Sequence, residues 1–136
     1  MLCSSKLQTL CIEKDPSVLT ALGKRNKLAH FRVHKVSSGG VRKFESVVLS
    51  GCYLQIRKGV CNASGSGDRY CEFRVRRNKE QNYLTLESLR ERGCYVGFTN
   101  TGSVYPLVDT SSSHPNALLF PEIIQRILYF LISRAF

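Results

Sequence analysis

The residues able to do chemistry in this chain are three histidines, six cysteines and a few well-spaced carboxylates. His30 and His34 are four apart, a spacing that brings two imidazoles to one metal on a helix. On an extended strand the same pair stands roughly 12–14 Å apart. The intervening Phe31-Arg32-Val33 alternates as a strand does, so both histidines read as surface groups. Cys3, Cys11, Cys52, Cys61, Cys71 and Cys94 form no CxxC and no Cys/His pair at zinc spacing, which argues against a metal centre. An even count permits disulfides. However, Cys52 and Cys94 fall at equivalent places of an internal repeat, beside aromatic residues, and buried free thiols fit that setting better. Glu45 and Glu87 are repeat-equivalent too. A repeat holds them apart, so they suit turn amides and not an acid–base pair. No GxSxG, HExxH or Walker sequence occurs. Gly65-Ser66-Gly67 lacks the Lys-Ser/Thr and the helix of a phosphate loop and reads as a hairpin turn. Asn62-Ala63-Ser64 is a glycosylation sequon. The chemistry is that of a non-enzymatic protein with no metal and no cofactor.

The elements that position these residues follow from self-comparison. Phe31-Arg32-Val33 recurs as Phe73-Arg74-Val75, Phe44-Glu45-Ser46 as Leu86-Glu87-Ser88, and Gly51-Cys52-Tyr53-Leu54 as Gly93-Cys94-Tyr95-Val96, each 42 residues later. Stepping back by the same distance reaches Leu2-Cys3-Ser4 and Leu10-Cys11-Ile12. The third unit closes with Leu118-Leu119-Phe120, slightly late, with extra residues in the loop Asn100 to Asn116. Each unit reads as short strands with turns at Gly39-Gly40, Gly65-Ser66-Gly67 and Asn100-Thr101-Gly102. Three all-β units of about 42 residues, four strands each, specify a β-trefoil; propellers normally have more blades. Alternation points Phe31, Val33, Phe44, Tyr53, Leu54, Phe73, Val75, Leu86, Tyr95 and Val96 inward. It points Arg32, His34, Glu72, Arg74 and Arg76 outward. Gly51 and Gly93 precede the tyrosine strands and permit tight turns. The trefoil is expected over residues 1–122. The apolar segment 123–136 lies outside the repeat; packing on the barrel, contact with a partner and an unstructured terminus are the alternatives for it, and Pro121 could open a helix there.

The chain has 136 residues and 43% hydrophobic content, enough for one domain with a real core. Its longest apolar run, Ile127 to Ile132, is too short to cross a bilayer as a helix, and the first fifteen residues lack the charged and apolar regions of a secretory signal. Compartment is therefore open, either intracellular or secreted by another route. Twenty Lys and Arg against ten Asp and Glu give a net charge of +10. Sixteen of the basic residues lie between Lys24 and Arg92, and none between Gly93 and Gln125. Such a surplus either attracts polyanions or serves solubility.

Gly51-Cys52-Tyr53-Leu54, Cys71-Glu72-Phe73, Asn82-Tyr83, Gly93 to Gly102, and Ala117-Leu118-Leu119-Phe120-Pro121 resemble the fibroblast growth factors, and interleukin-1 more distantly. The likeness covers about residues 2–121. Three departures stand out: Tyr83 is one residue late, the acidic residue expected near Val75 is absent, and a Cys replaces the frequent Trp before Tyr95. The resemblance implies a growth-factor-like ligand, a monomer, for a protein receptor. It places Asn82 and Tyr83 on the receptor face with Leu119 nearby, although Tyr83 and Leu119 suit barrel packing better. The family's heparan loop corresponds to Asn100–Asn116, which has no Lys or Arg. A heparan-type polyanion would instead meet Lys24, Arg25, Lys27, Arg74, Arg76, Arg77 and Lys79. Arg32 and Arg74 are repeat-equivalent and thus about 120° apart. A second resemblance, carried by Phe31-Arg32-Val33, Gly39-Gly40-Val41 and Gly51-Cys52-Tyr53-Leu54, is to arabinose-binding trefoil modules of the AbfB type. Gln55-Ile56 and Gly97-Phe98 replace their sugar ligands. An intracellular scaffold trefoil is a third alternative.

Overall fold

The computed structural model describes residues 7–13, 15–23, 27–37, 39–78, 83–99, 101–108, 119–124 and 127–133. Its twelve strands are β1 Leu7–Ile12, β2 Leu19–Gly23, β3 Phe31–Lys35, β4 Val41–Ser46, β5 Tyr53–Arg57, β6 Val60–Gly65, β7 Phe73–Asn78, β8 Tyr83–Ser88, β9 Cys94–Phe98, β10 Val104–Val108, β11 Phe120–Ile124 and β12 Ile127–Ser133. Short 3-10 turns cover Lys27–Ala29 and Arg69–Cys71.

Pairing closes a ring. β3 pairs with β4, β4 with β7, β7 with β8, and β11 with β12, which returns to β3. The remaining junction, β8 to β11, is bridged at Leu84 and Leu119 by two backbone hydrogen bonds of 2.6 and 2.9 Å. Closure leaves this ring no open edge. Three hairpins hang from it at matching points. β5–β6 joins β4 where Tyr53 faces Glu45, β9–β10 joins β8 where Tyr95 faces Glu87, and β1–β2 joins β12 where Thr9 faces Leu131. This is the expected β-trefoil, with a third unit built from the two ends of the chain.

The core repeats with the fold. Phe31, Phe73 and Leu119 occupy equivalent register positions and are fully buried; so are Phe44, Leu86 and Phe130, and Leu54, Val96 and Leu10. Phe44 packs edge-on against Phe130 at 5.2 Å and tilted against Phe73 at 6.2 Å, and Phe31 meets Phe130 at 5.8 Å. Each ring adds more than its area through these geometries. Val33 and Val75 are half-buried against the same cluster. Adjacent residues on a strand face opposite sides, so Tyr53 and Leu54 cannot both point inward. Leu54 does; Tyr53 is half-buried, its ring lying over Gly67. Tyr95 is buried in a side cluster with Leu107 and Tyr105.

The expected helix after Pro121 does not form. Pro121 sits inside β11, and Ile127–Ser133 is the strand that completes the ring. An isolated apolar stretch has no helical preference strong enough to resist an open slot between two strands. Gly65-Ser66-Gly67 is also not a hairpin turn: Gly65 ends β6, and the segment leads to the 3-10 turn at Arg69–Cys71.

Candidate functional site

The two repeat-equivalent glutamates do the turn work expected of them. Gly51 N–H donates to Glu45 at 2.7 Å, and Gly93 N–H donates to Glu87 at 3.0 Å. Gly51 and Gly93 have φ of 86° and 82°, a conformation open to glycine at little cost. Ser46 and Ser88 add a second acceptor in each unit, taking the N–H of Leu49 at 3.0 Å and of Glu91 at 2.9 Å. Glu45 has a further partner in His34 Nε2 at 2.7 Å, whose ring also meets Tyr53 at 5.8 Å. The amide of Gly51 and then the imidazole hold the Glu45 carboxyl below the usual carboxylate range. His34 is thus a partner of a buried carboxylate and more than a bare surface group.

The five described cysteines are free thiols. Cys11, Cys61 and Cys71 are buried, while Cys52 and Cys94 are half-buried, less enclosed than expected. Burial pushes the Cys61 thiol up to about 12, and raises those of Cys11, Cys71 and Cys94. Thiols in that state are poor nucleophiles. In the sequon, Asn62 lies on β6 and accepts from Gln55 at 2.9 Å.

Of the expected polyanion residues, the described ones, Lys27, Arg74, Arg76 and Arg77, do not form one patch. Lys24, Arg25 and Lys79 lie outside the described residues. Lys27 precedes the Phe31 end of β3, which pairs with Ser46, whereas Arg74 pairs with Val41 at the far end of β4. Five residues of strand separate those ends, roughly 16 Å. On β7, alternation sends Arg77 to the face opposite Arg74 and Arg76. Arg74 donates to the Gly39 carbonyl at 3.0 Å, and Arg76 sits 3.6 Å from Glu87. Of the expected receptor residues, Asn82 is outside the described set and Tyr83 is half-buried at the start of β8. Leu119 is fully buried, equivalent to Phe31 and Phe73, and so belongs to the barrel and not to a contact surface.

A different basic cluster assembles around Tyr70. The Arg57 guanidinium lies 4.5 Å from the centre of the Tyr70 ring and that of Arg90 lies 5.6 Å away, both in cation–π range. Arg69 adjoins Tyr70 in the 3-10 turn, whose N-cap is Asp68. Lys58, at the β5–β6 turn, has φ +51°, the one positive value at a non-glycine residue among those described. Glu91 fixes that turn, accepting from the N–H of Lys58 at 2.6 Å and of Gly59 at 3.4 Å. Arg90 and Arg92 flank Glu91 in the chain. Arg57, Arg90 and the Lys58 turn are thus brought together with two carboxylates, and Arg69 and Arg92, next to them in the chain, are exposed as well. One carboxylate is held by backbone amides and the other, Asp68, lies 3.2 Å from Arg57. Three turns distant in sequence supply these groups, so no linear run announces them. A guanidinium stacked on a ring keeps its N–H edge free for an oxyanion.

The chain matches the sequence model of the fibroblast growth factors over residues 1–120. No curated protein matches it. A match across that share of 136 residues, on a closed twelve-strand trefoil, means that the chain belongs to the fibroblast growth factor family.

Proposed function

We propose that this growth-factor-type, non-enzymatic signalling ligand acts on a protein receptor and binds a heparan-type polyanion through the Tyr70 cluster. The observation that carries the reading is the placement of Arg57 and Arg90 on one tyrosine ring. The loop Asn100–Asn116 has no Lys or Arg to offer a sulfate; the β7 arginines are partly engaged with Glu87 and the Gly39 carbonyl, and in the Tyr70 cluster Arg57 is partly engaged with Asp68. Sulfated chains are gripped by fixed guanidinium groups that release counterions on contact. On the receptor side, Asn82 and Tyr83 remain the proposed contacts, without Leu119.

The test is a heparin titration at two salt concentrations. The double variant Arg57→Gln/Arg90→Gln should weaken binding and flatten its salt dependence by about one unit of slope per lost contact. Arg74→Gln/Arg76→Gln should change both less. Equal effects of the two pairs would remove the Tyr70 site and leave general charge attraction. Salt-insensitive binding to a neutral arabinan, untouched by either pair, would favour the sugar-module reading.

A further inference from the structure

Asn62-Ala63-Ser64 is a motif that neither barrel closure nor the Tyr70 cluster uses. Of six asparagines in the chain, only Asn62 has a Ser or Thr two residues on, and the residue between them is not Pro. An asparagine in that setting can accept an N-linked oligosaccharide. Such a triplet also arises by chance, so the weight falls on whether the fold leaves the acceptor nitrogen free. Along β6 the inner face carries Cys61 and Ala63, both buried, and the outer face carries Val60, Asn62 and Ser64. Ala63 N–H donates to the Pro16 carbonyl at 2.7 Å, which ties the strand down from its inner side. On the outer side, Asn62 Oδ1 accepts the Ser64 N–H at 3.0 Å and Gln55 Nε2 at 2.9 Å. A backbone N–H only donates, so the atom it meets is the oxygen, and this fixes which way the amide points. Both bonds fall on the oxygen, and Nδ2 takes part in neither.

We propose that Asn62 is the acceptor of an N-linked oligosaccharide, transferred from a lipid-pyrophosphate donor. In the transfer Nδ2 forms a bond to the anomeric carbon of the first sugar and gives up one of its two protons. The anomeric C–O bond breaks, and the lipid pyrophosphate leaves with the electron pair. Transfer acts on an extended segment, so the folded barrel has only to accommodate the product. A sugar on Nδ2 leaves Oδ1 with both of its partners, so neither Gln55, which is 8% exposed, nor the Ser64 amide is orphaned. Val60 gives the sugar a footing. It lies two residues before Asn62 on the same face, about 6.6 Å away along the strand, and is one of the few large apolar side chains left exposed, at 51%. The apolar face of a first sugar ring would cover it. On β5, Gln55 faces Asn62 and Arg57 faces Val60, so the glycan stands on the outer face of the β5–β6 hairpin, away from the barrel core. This inference does not rest on the polyanion reading.

The test uses the full chain, secreted from eukaryotic cells behind a cleavable leader that delivers it to the transferase, and the mass of the protein recovered from the medium. The larger part of that protein should carry a mass excess that peptide-N-glycosidase removes, leaving Asp at position 62. Asn62→Gln and Ser64→Ala should each lose the excess entirely, and Ser64→Thr should keep it. Ser64→Ala retains the asparagine and its Gln55 partner, so it decides the matter even where Asn62→Gln folds poorly. Secreted protein at the bare polypeptide mass would overturn the proposal, as would an excess that persists in Asn62→Gln or in Ser64→Ala. Sugar found only on aggregated chain retained in the cells, with the folded secreted chain free of it, would overturn it equally, because the barrel would then not accommodate the product.

Discussion

Replacing Glu45 by Gln isolates one carboxylate whose partners are all in view. Glu45 is 8% exposed and accepts from Gly51 N–H and His34 Nε2 at 2.7 Å each, with the Ser50 hydroxyl at 3.4 Å. A hydrogen bond to a charged group contributes about 1.5–3 kcal/mol, and a neutral one about 0.5–1.5, so keeping the oxygen but losing the charge costs roughly 1 kcal/mol at the Gly51 amide. The His34 ring is 40% exposed, so its share is discounted for solvent screening to about 0.5 kcal/mol. The sum, about 1–1.5 kcal/mol, corresponds to a fall of roughly 0.5–1 M in the urea midpoint for a domain of this size. The sign with pH is set by the lowered carboxyl pKa. A depressed folded-state value stabilises fully above the unfolded value of about 4.3 and ceases to do so as pH falls through the folded one. Urea melts of the unsubstituted chain and Glu45→Gln should therefore differ at neutral pH and converge in acid. Coincident midpoints at pH 7, or a gap that persists undiminished well below the carboxylate range, would refute the account. Glu87→Gln, with Gly93 at 3.0 Å and Arg76 at 3.6 Å, should cost about half as much by the same scale.

Two repeat-equivalent tyrosines should diverge: Tyr95→Ala, at a buried site, should lose about 3–5 kcal/mol, and Tyr53→Ala, half-buried, clearly less in parallel denaturant melts. Lys58→Asn should stabilise by up to about 1 kcal/mol, since φ +51° strains a lysine more than an asparagine, and calorimetry should show a higher midpoint. Gly65→Ala should destabilise by about 1–3 kcal/mol, because the new Cβ would lie 2.3 Å from Cys71 Sγ and 2.8 Å from the Tyr53 carbonyl oxygen. A midpoint unchanged from the parent would contradict that crowding.

Most of the barrel is legible in the chain because the first two units share one length. Phe31 and Phe73, Phe44 and Leu86, and Leu54 and Val96 keep a constant spacing, and strand alternation alone orients them. The third unit is harder to read. From Phe73 to Leu119 the step is 46 residues, and Leu10 is 44 before Leu54, so inserted turn residues shift both ends. The β12 strand is harder still. Ile127 to Ile132 is apolar without period, and such a run becomes strand only because β11, β1 and β3 offer it hydrogen-bond partners. Nothing local distinguishes it from a helix. Tyr53 differs from expectation for a simpler reason: a repeat match identifies equivalent residues without saying which of two neighbours faces in.

The basic cluster is not legible from linear charge, because its groups come from separate turns of the chain. Residues that build a threefold barrel recur from unit to unit, as Arg32 does in Arg74 and Glu45 in Glu87. A binding surface has no reason to recur. Shifting by 42 residues takes Arg57 to Thr99, Lys58 to Asn100, Arg90 to Val48 and Arg92 to Ser50. Arg57 and Lys58 have no cation at any shifted place, whereas the shift also takes Arg90 to Lys6 and Arg92 to Arg134; Arg57 and Arg90 meet on one ring, and Lys58 stands at the turn that Glu91 holds. The recurring Arg74 is tied to a backbone carbonyl, and Arg57 to the Asp68 carboxylate. In a chain of internal repeats the residues that repeat are selected for closure, and those that break the repeat at exposed turns are free to be selected for a partner. Arg57 breaks the repeat in this way, and its loss together with Arg90 is expected to alter polyanion affinity while leaving the barrel intact.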